Sequence, residues 1–191
     1  KIKNSGLPDW DSWIKWSMIR KNKYPVVLPE YKNIKTFVQP YYFTKVLTES
    51  LKSGAIVVAG NGSACVSLFQ AGVVKKAQRM FWNSGCASMG YDLPASIGAC
   101  FADKNRSVIC LAGDGSLQLN IQELQTVFYH KLPIKIFYLD NSGYISIKQT
   151  QDSFFNGRYV ACNECSGVSF PDIIKIAKAY GLKTQVIDSH R

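Results

Sequence analysis

Residues 107–120, SVICLAGDGSLQLN, decide the fold because an apolar run leads through two closely spaced glycines into a helical pattern. The run SVICLA is apolar on consecutive residues, which is typical of a strand buried on both faces of a parallel sheet. Gly113-Asp114-Gly115-Ser116 then turns the chain into the helix. Glycines let backbone N–H groups approach an anion closely, and a helix start adds the positive end of a dipole. The stretch therefore predicts a phosphate-binding loop between a strand and a helix.

A second group of candidate ligands follows the next apolar run. The run IKIFYL at 134–139 ends in DNSG at 140–143, and Asn141 lies 27 positions after Asp114. One helix and one neighbouring strand consume about that much chain, so both side chains should meet at one edge of the sheet. A carboxylate, an amide oxygen, a main-chain carbonyl and two phosphate oxygens come close to the oxygen octahedron that Mg²⁺ prefers. We therefore expect a magnesium site formed by Asp114, Asn141 and Gly143.

The rest of the chain alternates apolar runs with helical patterns, which is the order of repeated strand and helix units. The predicted strands are 55–59, 78–82, 107–112, 134–139 and 183–187. The predicted helices are 41–52, 92–102, 117–130 and 170–180. Asp92 is the expected N-cap of the second helix, and Gly54 and Gly181 are expected C-terminal caps. The expected fold class is α/β, with an open parallel sheet sandwiched by helices and ligands bound at the carboxyl ends of the strands.

Residues 1–40 differ from the remainder of the chain. Trp10, Trp13 and Trp16 recur at helical spacing, and three prolines punctuate the stretch that follows them. We interpret 1–40 as a linker and the remnant of a preceding domain, and 41–191 as the main domain. Because the chain stops soon after LKTQVID, we expect that domain to be truncated at its C-terminus.

Composition narrows the classes of partner. The 23 Lys and Arg exceed the 13 Asp and Glu, which would suit a phosphate ester, a nucleic acid or a membrane surface. The basic residues are dispersed without an RNA-binding aromatic motif, so we expect no nucleic acid. No apolar run approaches the roughly 20 residues that a bilayer requires, so we expect no membrane. The six cysteines lie mostly in apolar segments and no secretory leader precedes them, which favours a cytoplasmic protein.

The spacing of these motifs identifies a family. Gly113-Asp114-Gly115 followed at this distance by Asn141 resembles the signature of thiamine diphosphate enzymes, and the chain is most similar to the acetolactate synthase family. The segment 83–99, NSGCASMGYDLPASIGA, resembles the part of that family that surrounds the aminopyrimidine. The resemblance implies the thiamine diphosphate-binding fold, with thiamine diphosphate held through Mg²⁺.

The resemblance also implies individual contacts. The residue matching Ala87 offers its carbonyl to the 4'-amino group, and the one matching Met89 wedges beneath the cofactor, although Met89 could also be a simple core residue. The loop GNGSA at 60–64 resembles a second diphosphate loop, although acetolactate synthases usually carry Gln and His where this chain has Ser63 and Ala64. An ordinary strand-to-helix turn remains the alternative for that loop. The implied cofactor contacts are Asn61, Gly62, Ser63, Ala87, Ser88, Met89, Gly113, Asp114, Gly115, Ser116, Asn141, Gly143, Tyr144 and Ile145.

The substrate is less well defined by the resemblance. Residues 144–151, YISIKQTQ, occupy the place where the family builds its reaction pocket, and Ile145 and Ser146 should face the cofactor. Acetolactate synthases typically carry Trp where this chain has Thr150. The implied activity is decarboxylation of a 2-keto acid and ligation of the resulting enamine to a second carbonyl compound. Another thiamine diphosphate-dependent decarboxylase or lyase is the first alternative, and a non-catalytic nucleotide-binding module is the second.

The resemblance places the catalytic carboxylate elsewhere. The family's essential Glu belongs to a separate pyrimidine-binding domain, so no catalytic residue is expected in this chain and the isolated fragment should be inactive. The family works as dimers or tetramers, which implies a homo-oligomer in the full-length enzyme. Whether FAD is bound stays open, because relatives that carry it hold it on another domain.

Overall fold

The computed structural model describes residues 9–190. Four parallel strands form one sheet in the order β2-β1-β3-β4. These strands are β1 (Ile56–Ala59), β2 (Arg79–Trp82), β3 (Val108–Gly113) and β4 (Ile134–Leu139). Central strands β1 and β3 are almost completely buried, because each has a neighbour on both edges and helices on both faces. The open parallel α/β sheet that the sequence predicts is thus confirmed.

Helices connect the strands and cover the sheet. The α-helices within residues 9–190 are α1 (Asp11–Lys23), α2 (Pro40–Ser50), α3 (Gly62–Ala71), α4 (Asp92–Ala102), α5 (Asp114–Gln118), α6 (Leu124–Tyr129), α7 (Ile145–Phe154) and α8 (Ile173–Ala179). Short 3₁₀ turns lie at Pro29–Asn33, Ile121–Glu123 and Glu164–Ser166. No helix among the described residues is long and apolar enough to span a membrane.

The hydrophobic core lies on both faces of the sheet. On one face α3 packs Leu68 against Val57, and on the other α4 packs Leu93 against Cys110. Leu68 and Leu93 are fully buried, and burying a side chain of this size stabilises the fold by about 1.5–3 kcal/mol. Ile176 of α8 adds to the second face. The two layers fix β1 and β3 side by side and so fix the loops that follow them.

Four predicted strands agree with the structure to within one residue, but the predicted strand at 183–187 is wrong. That segment has no regular secondary structure, and Val186 and Ile187 are exposed. A strand is stable where a neighbour pairs with its backbone and a core covers its side chains, and neither condition holds here. As a result β4 is an edge strand of the described sheet.

The predicted helices differ from the structure in three respects. The single helix predicted at 117–130 is divided into α5, a 3₁₀ turn and α6, because the Asn120 backbone departs from helical geometry. The Asn120 side chain donates to the Gly90 carbonyl at 2.6 Å. Gly54 lies in the turn before β1, beyond the end of α2, and does not cap that helix. Helix α4 begins at Asp92 itself, with Tyr91 as N-cap.

One predicted cap agrees with the structure, and two helices were not predicted. Gly181 ends α8 in a left-handed conformation, where its N–H donates to Lys178 and the Leu182 N–H donates to Ala177, as in a Schellman motif. Helices α3 and α7 are absent from the predicted helices.

The tryptophan-containing segment forms α1, as its spacing predicts. Trp13 stacks on Trp16 with ring centroids 5.1 Å apart, and the Arg20 guanidinium lies 3.9 Å from the Trp16 ring centre. Further along, the Gln39 N–H donates to His190 Nε2 at 2.8 Å, so the segment before α2 contacts the last described residues. The division of the chain at residue 40 stays a prediction, and its first eight residues lie outside the described range.

Candidate functional site

A cleft with a cavity volume of about 140 Å³ lies at the carboxyl ends of the parallel strands. The chain runs from β1 outward to β2 and from β3 outward in the opposite direction to β4, so the cleft occupies the switch point of the sheet. The loops after β1, β3 and β4 line it together with Met89. These loops and Met89 include every predicted cofactor contact except Ala87 and Ser88.

Asp114 joins two of these loops. Its Oδ1 accepts the N–H of Gly115 at 2.7 Å, and its Oδ2 accepts the N–H groups of Asn141 and Gly143, each at 3.0 Å. The side chain is almost fully buried, with 3% of the residue exposed. Asp114 and Asn141 therefore lie together at one edge of the sheet, through the Asn141 backbone N–H and not through its side chain, and the carboxyl group of Asp114 holds the loops together.

Close packing explains two glycines of the site. A Cβ placed on Gly115 would overlap the Tyr144 ring and lie 3.0 Å from the Met89 Cε. A Cβ on Gly143 would overlap the carbonyl oxygen of Cys162, in a backbone conformation with φ of +153° that disfavours side chains. The Cys162 carbonyl also accepts the Tyr144 N–H at 2.8 Å. Gly115 and Gly143 thus line the cleft at positions where neighbouring atoms leave no room for a side chain.

The loop after β1 brings a helix start to the same cleft. Helix α3 begins at Gly62, and its N-cap Asn61 makes no side-chain capping bond, while Gly62, Ser63 and Ala64 line the cavity. The first-turn N–H groups of a helix and its dipole favour an anion. Together with the loop before α5, the cleft presents two helix starts to a negatively charged ligand.

The aminopyrimidine-like segment only partly reaches the cleft. Met89 lines the cavity, whereas Ala87 and Ser88 are exposed and do not. Ala87 has a positive φ of 51°, and the Ser88 carbonyl accepts the Asn83 side-chain amide at 3.1 Å. The predicted contacts of Ala87 and Ser88 therefore remain predictions.

Asp92 is a buried carboxylate that the sequence interpretation treated only as a helix cap. Its Oδ1 accepts the Leu93 N–H at 2.9 Å, and its Oδ2 accepts the hydroxyl of Ser116, which lines the cleft. The residue is 0% exposed. Burial raises the pKa of Asp92, against the opposing effect of the bonds from Ser116 and Leu93. A carboxylate within the otherwise apolar run YDLPASIGAC was the available signal.

The cysteines are not organised as a metal centre. All six are free, and burial is the main cause that raises the pKa of Cys110 to about 12, with the nearby Asp92 charge second. Within residues 9–190 there is no cluster of three or more His, Cys, Asp or Glu side chains that could hold a metal. Cys162 is buried and Cys165 is exposed, as free thiols.

The donor set in the cleft instead fits a hard cation that shares its ligands with a diphosphate. Asp114 supplies a carboxylate, and Asn141 and Gly143 lie at its Oδ2 through their N–H groups. Carboxylate, amide and carbonyl oxygens suit Mg²⁺, which usually completes its octahedron with phosphate oxygens and water. Such a site needs only one or two protein carboxylates, and Asp114 supplies one.

A second, wider cavity of about 340 Å³ lies beside the cleft along α7. Ser146, Ile147, Thr150, Gln151 and Phe155 line it. Ser146 and Ile147 also line the cleft, so the two spaces are adjacent. Ile147 and Ala64 also line the cleft, although neither is among the implied cofactor contacts. The Thr150 hydroxyl donates to the Ser146 carbonyl at 3.0 Å, within its own helix.

Comparison with known proteins gives one family. The family described as "Thiamine pyrophosphate enzyme, C-terminal TPP binding domain" matches residues 60–191. The acetolactate synthase large subunit of Pyropia yezoensis is 33% identical over 172 residues, which cover 90% of this chain and 28% of that protein. That of Porphyra purpurea is 32% identical over 194 residues, covering 100% and 32%, respectively.

Plant relatives and a solved structure agree with this result. Acetolactate synthase 1, chloroplastic, of Oryza sativa subsp. japonica is 30% identical over 178 residues, covering 91% of this chain and 27% of that protein. The chain therefore spans roughly a quarter to a third of the length of these relatives. A thiamine diphosphate-dependent 4-hydroxybenzoylformate decarboxylase of Rhodococcus jostii RHA1 superimposes with a TM-score of 0.71 and 21% identity over 82% of this chain and 29% of that one. That likeness bears on the fold alone.

Proposed function

This chain belongs to the thiamine pyrophosphate enzymes, as their C-terminal TPP binding domain, and from that premise we propose that Asp114, Asn141 and Gly143 hold thiamine diphosphate through a magnesium ion. The observation that carries the proposal is the buried Asp114 carboxylate, which contacts the loops after both β3 and β4. It lies where a cation would join the diphosphate to both loops. Two helix starts at the same cleft add favourable dipoles for the phosphates.

The remaining residues of the cleft orient the cofactor. Bound thiamine diphosphate supplies the carbon nucleophile and the electron sink for decarboxylation, which protein side chains lack. Gly113, Gly115 and Ser116 offer backbone and hydroxyl groups to the diphosphate, and Asn61, Gly62 and Ser63 face it across the cleft. Met89 and Tyr144 form the apolar wall beside Gly115, and Ile145 continues that wall. Ala87 and Ser88 would reach the aminopyrimidine from outside the cleft.

We place the substrate in the cavity along α7, beside the cofactor cleft. The relatives named acetolactate synthase support an enzyme that decarboxylates a 2-keto acid and joins the product to a second carbonyl compound. Thr150 and Ile147 on the cavity wall leave room that a larger aromatic side chain would fill. This observation favours a second candidate, a decarboxylase or lyase that uses the same cofactor with a bulkier 2-keto acid.

Catalysis also requires groups that lie outside the described fold. We propose that the carboxylate that activates the aminopyrimidine comes from another domain, because the described cleft holds Asp114 as its one carboxylate among the lining residues. The site would then form between subunits of a homo-oligomer. The free, mostly buried cysteines fit a reducing compartment such as the cytoplasm. The 191-residue chain alone should bind the cofactor weakly and show no turnover of pyruvate.

Calorimetric titration of thiamine diphosphate into the purified chain tests the proposal. We expect binding with Mg²⁺ present, and a loss of most of the heat when EDTA removes the metal. ADP with Mg²⁺ serves as the control for a generic phosphate loop. Tight binding of ADP without magnesium-dependent binding of thiamine diphosphate would contradict the proposal and favour a nucleotide-binding module.

A further inference from the structure

The carboxylate of Asp92 lies directly behind the phosphate-binding loop. Its Oδ2 accepts the Ser116 hydroxyl, and the Ser116 Oγ in turn accepts the Gly90 N–H at 2.9 Å. A Cβ on Gly60, at the end of β1, would overlap the same Oδ2. The carboxylate is therefore enclosed between the loop after β1 and the start of α5, and Ser116 is the single residue that links it to the cleft.

No cation compensates this buried carboxylate within the part of the chain that the structure describes. The titratable groups on the elements packed against α4 are Cys110 on β3, Asp114 on α5, and Lys135 and Tyr138 on β4. β1 carries none. Lys135 is exposed and makes no ion pair with Asp92. Burial, which removes the carboxyl group from water, raises the pKa of Asp92.

The Ser116 hydroxyl can be used in two ways. It has one hydrogen to donate and lone pairs that accept two bonds. When Asp92 is ionised, Ser116 must donate that hydrogen to the carboxylate and has none for a ligand. When Asp92 is protonated, the acid donates to Ser116 Oγ beside the Gly90 N–H, and the hydroxyl hydrogen is free for a phosphate oxygen in the cleft.

We propose that Asp92 takes up a proton from solvent when the diphosphate enters the cleft, and that this proton turns the Ser116 hydroxyl away from Asp92 toward the bound phosphate. The inference rests on the proposed cofactor function. It follows because the single Ser116 hydrogen cannot serve Asp92 and a phosphate oxygen at once, and because the buried Asp92 has one backbone donor whereas Asp114 has three. Asp92 is a positioning residue, since it acts through Ser116.

Proton uptake on binding is the decisive measurement. Thiamine diphosphate with Mg²⁺ is titrated calorimetrically into the 191-residue chain in two buffers of different ionisation enthalpy, from pH 5 to pH 8. For the wild type we expect uptake that rises with pH toward about one proton, because the free chain is then ionised at Asp92 and the complex is not. Asp92→Asn should bind at least as tightly and lack this uptake, since its amide donates to Ser116 permanently.

Two further variants and one spectrum separate the possible outcomes. Ser116→Ala should weaken binding and lose the uptake, and Asp92→Ala should lose the uptake without the gain of the Asn variant. Equal uptake by the wild type and Asp92→Asn overturns the inference alone, whereas no binding by the wild type overturns the proposed function as well. If Asp92→Asn does not fold, the ¹³C carboxyl signal of Asp92 in the wild-type complex decides, because a carboxyl group that stays ionised there between pH 5 and pH 8 overturns the inference.

Discussion

Asp114 at the start of α5 and Asp92 at the start of α4 accept the same kind of hydrogen bond at Oδ1 and different kinds at Oδ2. Each Oδ1 accepts the N–H of the next residue, at 2.7 Å for Asp114 and 2.9 Å for Asp92. The Oδ2 of Asp114 accepts two further N–H groups from another loop, whereas the Oδ2 of Asp92 accepts only a serine hydroxyl. Both residues are buried. Two buried carboxyl groups thus differ in the number of backbone donors that hold them, three for Asp114 and one for Asp92.

Asp114 and Asp92 therefore have different roles. Three backbone donors fix the position of the Asp114 carboxyl group beside a cleft suited to a cation. The Ser116 hydroxyl can rotate, so the bond that it gives Asp92 can be withdrawn when another acceptor arrives. The variants that follow test the two carboxyl groups separately, from the largest expected effect to the smallest.

Asp114→Ala should have the largest effect. It removes the proposed metal ligand and leaves the N–H groups of Asn141 and Gly143 without their acceptor, at a cost of about 1–3 kcal/mol each in the free energy of unfolding. Magnesium-dependent affinity for thiamine diphosphate should fall more than about 100-fold, or about 2.7 kcal/mol. Calorimetry measures the affinity, and urea denaturation the stability.

Asp114→Asn is the matched control for this variant. Its amide oxygen can still accept the two N–H groups, so stability should be nearly retained while magnesium-dependent binding is lost. The neighbouring exposed Asp140, changed to Ala, should leave magnesium-dependent affinity within a few-fold of the wild type. If Asp114→Asn kept wild-type affinity, the charge of Asp114 would not be what binds the metal.

Gly60→Ala tests the enclosure of Asp92. The new methyl group would overlap Asp92 Oδ2 and displace the carboxyl group from Ser116, so we expect a destabilisation of about 1–3 kcal/mol in urea denaturation. In the double variant with Asp92→Ala the overlap disappears, and the combined effect should be smaller than the sum of the two. Additive effects would show that Gly60 and Asp92 do not constrain each other.

Asp92→Asn tests the charge of the second carboxyl group through the pH dependence of stability. The pKa of Asp92 is raised in the folded chain, so its contribution is fully present below the unfolded value of about 3.9 and is lost as pH rises through the folded value. Wild-type stability should therefore fall relative to Asp92→Asn as pH rises above about 4. Urea denaturation of both proteins between pH 4 and 8 measures the difference, and parallel curves would contradict a raised pKa.

The same contrast explains what the sequence could and could not predict. The run SVICLA and the Gly113–Ser116 turn predicted β3 and a loop that lines the cleft, because a doubly buried strand leaves a clear apolar pattern. The loops that approach Asp114 follow from parallel topology alone. The sequence predicts only a helix cap at Asp92, because the enclosure of its carboxyl group depends on Gly60 and Ser116, which are remote in sequence.

Errors in the fold have similar causes. Helix α7 buries none of its residues, so its sequence carries little of the apolar signal of a core helix. The apolar residues at 183–187 suggested a strand, but strand formation depends on a partner edge that these residues do not reach. Local pattern predicts elements whose burial is complete, and it fails where a distant contact decides.

Gly98→Ala should have the smallest effect and separates stability from the charge of Asp92. Gly98 lies on the exposed side of α4, and a Cβ there would meet nothing within 4 Å. Replacing a glycine by alanine inside a helix should stabilise the chain by about 0.5–1 kcal/mol. Proton uptake on cofactor binding should be unchanged, because the carboxyl group and Ser116 are untouched. A change in uptake here would mean that the rigidity of α4, and not the bond between Asp92 and Ser116, governs the proton.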